Sequence, residues 1–171
     1  MRLFRELKAR HGVAATDDLR DAGVTRHDLR RALAAGTVVR LRRGWVALPG
    51  ADPMLQRAAT LGVTITCVTR AERAGLWTFG SSDPHVAAPS NGRVLAETAA
   101  HVHWGQPVAP RPRHALEDSI VNALGYAAAC QPYEKALVVW ESAARKELID
   151  RDIVKRLPFG PQARRIMTEM R

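Results

Sequence analysis

Six arginines fall in two triplets, Arg26, Arg30 and Arg31, then Arg40, Arg42 and Arg43, with Thr25 and His27 beside the first. A guanidinium is a planar, permanently charged fork of N–H donors, suited to a phosphate or to the O6 and N7 edge of guanine. The clustering is local. Residues 1–50 carry 11 Lys/Arg and 5 Asp/Glu, a net of +6, whereas residues 51–171 carry 15 and 12, a net of +3. Such an excess points to a polyanionic partner and says nothing about fold.

Other chemistry-bearing residues are weaker signals. His101 and His103 at i, i+2 would share one strand face, with Asp83 and His85 nearby in sequence. A metal site needs three or four converging ligands, and this pair reads as a polar strand face. Cys67 and Cys130 have no CxxC partner and read as small buried residues. Glu117-Asp118 reads as the acidic start of a helix. A restriction-type nuclease needs an Asp followed by Glu-x-Lys on a neighbouring strand; Glu134-Lys135 and Lys146-Glu147 do not fit and fall in helical stretches. Nor is there a Gly-rich phosphate loop, a GxSxG elbow or an HExxH helix. The expectation is therefore no enzyme, no catalytic residue, no metal and no cofactor.

The elements that must position the arginines are legible. Leu3, Phe4 and Leu7 make one apolar face of a first helix over 2–11, stopped by His11-Gly12. Thr16-Asp17-Asp18 reads as a hydroxyl cap and two acids opening a short second helix that ends at Gly23. Val24-Thr25-Arg26-His27-Asp28-Leu29 opens a third: Thr25 is the N-cap, Asp28 takes the capping-box position, and Val24 can staple onto Leu29. That helix runs to about residue 35 before Gly36. Leu29, Ala32 and Leu33 form its core stripe, and His27, Arg30, Arg31 and Ala34 lie opposite. Thr37–Leu41 and Trp45–Leu48, flanking Arg42-Arg43-Gly44, read as a hairpin with Trp45 in the core at its base.

Three short helices followed by a hairpin is the order of a winged helix-turn-helix. The third helix would enter the major groove with His27, Arg30 and Arg31 toward base edges, and Thr25 and Arg26 at its start. Arg42 and Arg43 at the wing tip, with Arg40 on its flank, would meet the backbone or a minor groove. This module is expected over residues 1–49. Residues 50–171 read as a mixed α/β, mainly helical second domain, so the class is α+β, mostly helical. Its expected pieces are helices over 53–61 and 66–76, strands near 84–88 and 101–104 separated by polar turns such as Ser90-Asn91-Gly92, and a stiff connector over 107–112. Helices then follow over 114–129, 133–147, 150–156 and 161–171. Lys135, Arg145, Lys146, Arg151, Lys155 and Arg156 make this part locally basic, which reads as a solvated face.

The broad class is bounded by composition. At 171 residues and 46% hydrophobic, the chain can bury a core. No apolar run approaches the roughly 18 residues of a membrane span, and the charged start Arg2–Lys8 is unlike a secretory leader. Two thiols alone fit a reducing compartment, so a cytoplasmic location without membrane association is expected.

Residues 11–48 resemble the N-terminal winged-helix domain of AbiEi-type antitoxins and their actinobacterial relatives. The similar elements are Gly23-Val24-Thr25, Leu29-Arg30-Arg31-Ala32-Leu33 and Val39-Arg40-Leu41-Arg42-Arg43-Gly44. A weaker likeness continues through Cys67–Trp77, Leu116-Glu117-Asp118 and Tyr133–Ile149. The resemblance implies a repressor that binds operator double-stranded DNA and autoregulates its own operon, often beside a toxin gene, so a cognate toxin is a second implied partner. Some relatives carry a C-terminal nuclease-like domain, which would begin about where this sequence stops. The alternatives are therefore the DNA-targeting arm of a nuclease and a toxin-neutralising interaction module. Both a monomer and a dimer are compatible with this reading.

Overall fold

The structure, a computed structural model, describes residues 2–89 and 99–170, so the turn expected at Ser90-Asn91-Gly92 lies outside the described residues. It is an α+β fold that divides into two compact units, Met1–Val63 and Thr64–Arg171. No helix among the described residues is long and apolar enough to cross a membrane.

In the first unit the order is α1 (Arg2–Ala9), β1 (Val13–Ala15), α2 (Thr16–Asp21), α3 (Arg26–Ala34), β2 (Val39–Arg42), β3 (Trp45–Ala47) and α4 (Pro53–Leu61). The strands form one antiparallel sheet, β1-β3-β2. Strand β1 is absent from the sequence reading. Its three residues Val13-Ala14-Ala15 are all buried and show no alternation. Pairing with β3 makes it a strand, not a local pattern. One consequence is a shifted cap: Thr16 is the first residue of α2, Ala15 takes the cap position without a side-chain bond, and the Thr16 N–H donates to the Gly44 carbonyl at 2.8 Å. Leu3, Leu7, Leu19, Val24, Ala32, Val38 and Val46 close the core beneath α3 and the sheet.

The compact unit extends past the expected boundary at residue 49 because α4 belongs to it. Asp52 caps α4 by accepting from the Met54 and Leu55 N–H groups at 2.8 and 3.3 Å, Pro53 supplies its first turn, and left-handed Gly62 ends it.

The second unit has β4 (Thr64–Ile65), α5 (Cys67–Arg73), β5 (His85–Ala87), β6 (His101–His103), α6 (Ile120–Cys130), α7 (Tyr133–Arg145), α8 (Arg151–Lys155) and α9 (Pro161–Glu169). β5 pairs antiparallel with β4 and parallel with β6. Trp140 is fully buried, meets Phe159 edge-on at 5.1 Å between centroids, and donates its indole N–H to the Leu124 carbonyl at 3.1 Å.

The helix expected from residue 114 begins later. Residues 115–118 instead run beside β4: Ile65 N–H donates to Leu116 O at 2.8 Å, and Asp118 N–H donates to Ile65 O at 2.9 Å. Ser119 then caps α6 through Asn122 N–H at 3.1 Å. Asp118 is no free acid at a helix start. Its buried carboxylate accepts Arg111 Nε and Nη2 at 2.9 and 2.7 Å, and Asn122 Nδ2 at 3.0 Å.

Candidate nucleic-acid interface

Helix α3 is fixed at its start by a reciprocal contact. The Thr25 hydroxyl accepts the Asp28 N–H at 3.1 Å and donates to the Asp28 carboxylate at 2.8 Å. The box expected from sequence thus closes hydroxyl to carboxylate. Val24 is buried and Leu29 half-buried in one apolar cluster, in keeping with the staple. Ala32 is buried and Leu33 packs beside it, which leaves His27, Arg30, Arg31 and Ala34 exposed on the other face. Among the described residues, neither Arg30 nor Arg31 enters an ion pair.

Thr25 and Arg26 are exposed at the helix start, where N–H groups and the positive end of the dipole favour an anion. They line a shallow hollow together with Arg20 of α2 and Arg40 of β2. Arg20 is a candidate that the sequence reading left out. Its signal was helical spacing, since Thr16 and Arg20 are one turn apart on α2 and both line this hollow.

The hairpin presents its cations unequally. In β2, Val39 and Leu41 turn inward while Arg40 and Arg42 are exposed, and a bulge between Arg40 and Arg42 shifts the register against β3. Arg42 nevertheless leans back. Its guanidinium sits over the Trp45 ring, 5.8 Å from the centroid, and lies against Gly62 at the carbonyl end of α4. Arg43 and Gly44 make the turn, with Gly44 at φ +82°, a left-handed conformation that a residue with a Cβ resists. Arg43 is exposed at this tip, and Trp45 beneath is buried.

Residues 1–49 match the AbiEi antitoxin family. That family is described as a transcriptional regulator, AbiEi antitoxin. The match ends where α4 is about to begin, so the weaker AbiEi likeness from Cys67 onward lies beyond it. No curated protein matches the chain. Among solved structures, the crystal structure of the RV2827C protein from Mycobacterium tuberculosis is similar at 16% identity and a TM-score of 0.32, covering 99% of this chain and 80% of that one. All eight residues singled out by sequence lie in the AbiEi-matching segment and all are exposed. Six of them gather on α3 and at its start and along β2, whereas Arg42 turns toward α4 and Arg43 marks the hairpin tip.

In the second unit, the reading of the cysteines and histidines needs correction. His101 and His103 do not form a uniformly polar face: His101 is exposed and His103 is buried. Cys67 is buried as expected, but neither cysteine lacks potential ligand partners. Cys67, His85, His103 and Cys130 bring one donor atom each within 4.8 Å of all the others.

Proposed function

We propose that the first unit is a winged helix-turn-helix that binds double-stranded DNA, and that the protein is a sequence-specific repressor of antitoxin type acting on its own operon. The observation that carries this reading is the exposed face of α3, where Arg30 and Arg31 stand beside His27, outside any ion pair among the described residues, opposite the packed stripe of Ala32 and Leu33. A helix with such a face fits the major groove, and each bidentate Arg–guanine pair is worth about 1–3 kcal/mol of discrimination. Arg26 and Arg40 would hold a phosphate at the helix start, with Arg20 joining them by leaving its Asp17 partner at 3.0 Å and Thr25 by turning its hydroxyl from the Asp28 carboxylate, and Arg43 would follow the backbone from the wing. The element order, the +6 charge of residues 1–50 and the family description support the same reading.

The test is selection of bound genomic fragments, then footprinting over a salt series. Expected is a discrete protected site with affinity falling steeply as salt rises. Equal binding to all duplexes would remove the repressor reading. A second reading, toxin neutralisation by contact, is favoured by the antitoxin description and by the exposed rings of Trp77 and Phe79 in the second unit. Co-purification with a neighbouring gene product in the absence of DNA retention would favour it.

A further inference from the structure

We propose that Cys67, His85, His103 and Cys130 form a four-ligand structural site for one zinc ion within the second unit. The four residues are far apart in sequence and come from four elements: the first residue of α5, β5, β6 and the last residue of α6. The parallel register pairs His85 with His101 and Ala87 with His103, so His85 and His103 stand on one face of the sheet. Cys67, Val68, Ala87, Tyr126 and Ala127 pack together there, with Cys130 at the edge of the cluster. The site is thus built where α5 and α6 cover the sheet.

The spacing suits a tetrahedron. With Zn–S near 2.3 Å and Zn–N near 2.0–2.1 Å, the edges of a Cys2His2 tetrahedron are about 3.3–3.8 Å. His85 Nδ1 lies 3.1 Å from His103 Nε2 and 3.7 Å from Cys130 Sγ. Every pair of donor atoms is within 4.8 Å. Shifts of a few tenths of an ångström for the two His85 pairs, and of up to about 1 Å for the widest pair, would accommodate the ion.

Donor chemistry and surroundings agree with this geometry. Two thiolates and two neutral imidazoles suit zinc, and the two negative charges cancel the charge of the ion, which a buried apolar pocket requires. On binding, each thiol loses its proton to solvent as its sulfur bonds the metal. His85 also has an outer partner of the kind that orients a metal-bound imidazole: its Nε2 lies 3.2 Å from the Ser81 hydroxyl. Cys67 has φ +52°, a left-handed conformation that persists only where its surroundings enforce it. With four protein donors the site has no open position, so its role is cross-linking rather than catalysis. His101, exposed, stacks on His85 at 4.6 Å between centroids and brings its Nε2 to 3.7 Å from Cys130 Sγ, but it is not one of the four residues whose donor atoms all lie within 4.8 Å of one another.

The experiment uses the full chain purified under reductant, with Co2+ as optical probe and Zn2+ as competitor. Expected is one equivalent of Co2+ giving the intense visible bands of a tetrahedral thiolate site, displaced by one equivalent of Zn2+. His101→Gln should keep those bands. Cys130→Ser and His103→Gln should lose them, and Ser81→Ala should weaken zinc about 10–100-fold. The wild-type spectrum needs no variant to fold. A weak octahedral spectrum, no saturable binding, loss of the site in His101→Gln alone, or a Cys67–Cys130 disulfide in the reduced preparation would each overturn the assignment.

Discussion

Arg42 lays its guanidinium over the indole of Trp45, 5.8 Å from the ring centroid, and rests against Gly62. Its neighbour Arg43 occupies the turn and is exposed. Two adjacent arginines of one hairpin are thereby given different surroundings. Arg43→Ala should weaken binding to all duplexes alike and lower the salt slope by about one unit. Arg42→Ala should move that slope less and instead cost about 0.5–1 kcal/mol of stability through the lost ring contact. Affinity over a salt series, alongside denaturant unfolding, separates the two.

On α3 the expectation is of another kind. If α3 enters the major groove as proposed, Arg30→Ala or Arg31→Ala should each relax base preference by about 1–3 kcal/mol per position. Nonspecific affinity should fall only slightly. A selection repeated with each variant reads this directly, and unchanged selectivity in both would remove the base-reading role.

The start of α3 should be sensitive to its cap. Thr25→Ala removes both bonds between Thr25 and Asp28. The expected cost is about 1 kcal/mol, measured by chemical denaturation. Thr25→Ser, which keeps the hydroxyl, should restore most of it.

In the second unit, Arg111→Ala would strip the Asp118 carboxylate of its bidentate partner while leaving it buried. The expected loss is about 3–5 kcal/mol. Removing both partners should cost less than the sum of the single changes, which a double-mutant cycle would measure.

If zinc occupies the Cys67–Cys130 site, chelation should lower the unfolding midpoint and excess zinc restore it. The gain would be about 2.7 kcal/mol when free zinc is one hundred times its dissociation constant. Cys130→Ser should be indifferent to both treatments.

How much of this could be read beforehand depended on whether the signal was local. Thr25, Asp28 and Gly36 announced α3 because caps and stops act within one turn. Strand β1 was hidden because Val13-Ala14-Ala15 has no period of its own and exists through its partner β3. The start of α6 was misplaced because Leu116 and Asp118 give their backbone to Ile65, a partner about fifty residues away. The tilt of Arg42 follows from the closeness of Gly62, which no pattern around residue 42 contains. The Cys/His group illustrates the same limit. Residues 67, 85, 103 and 130 share no short motif, and only the parallel β5–β6 register together with the packing of α5 and α6 gathers them.

The amide of Thr16 that grips the carbonyl of Gly44 has a mechanical corollary. It tethers the hairpin's bend to the beginning of α2, so this arm cannot flap like a free finger. Lengthening the bend must either surrender that tether or bulge outward on the Arg43 side. Because the bond is made by backbone alone, swapping arms between related proteins should keep the tether with any residue except proline at position 16.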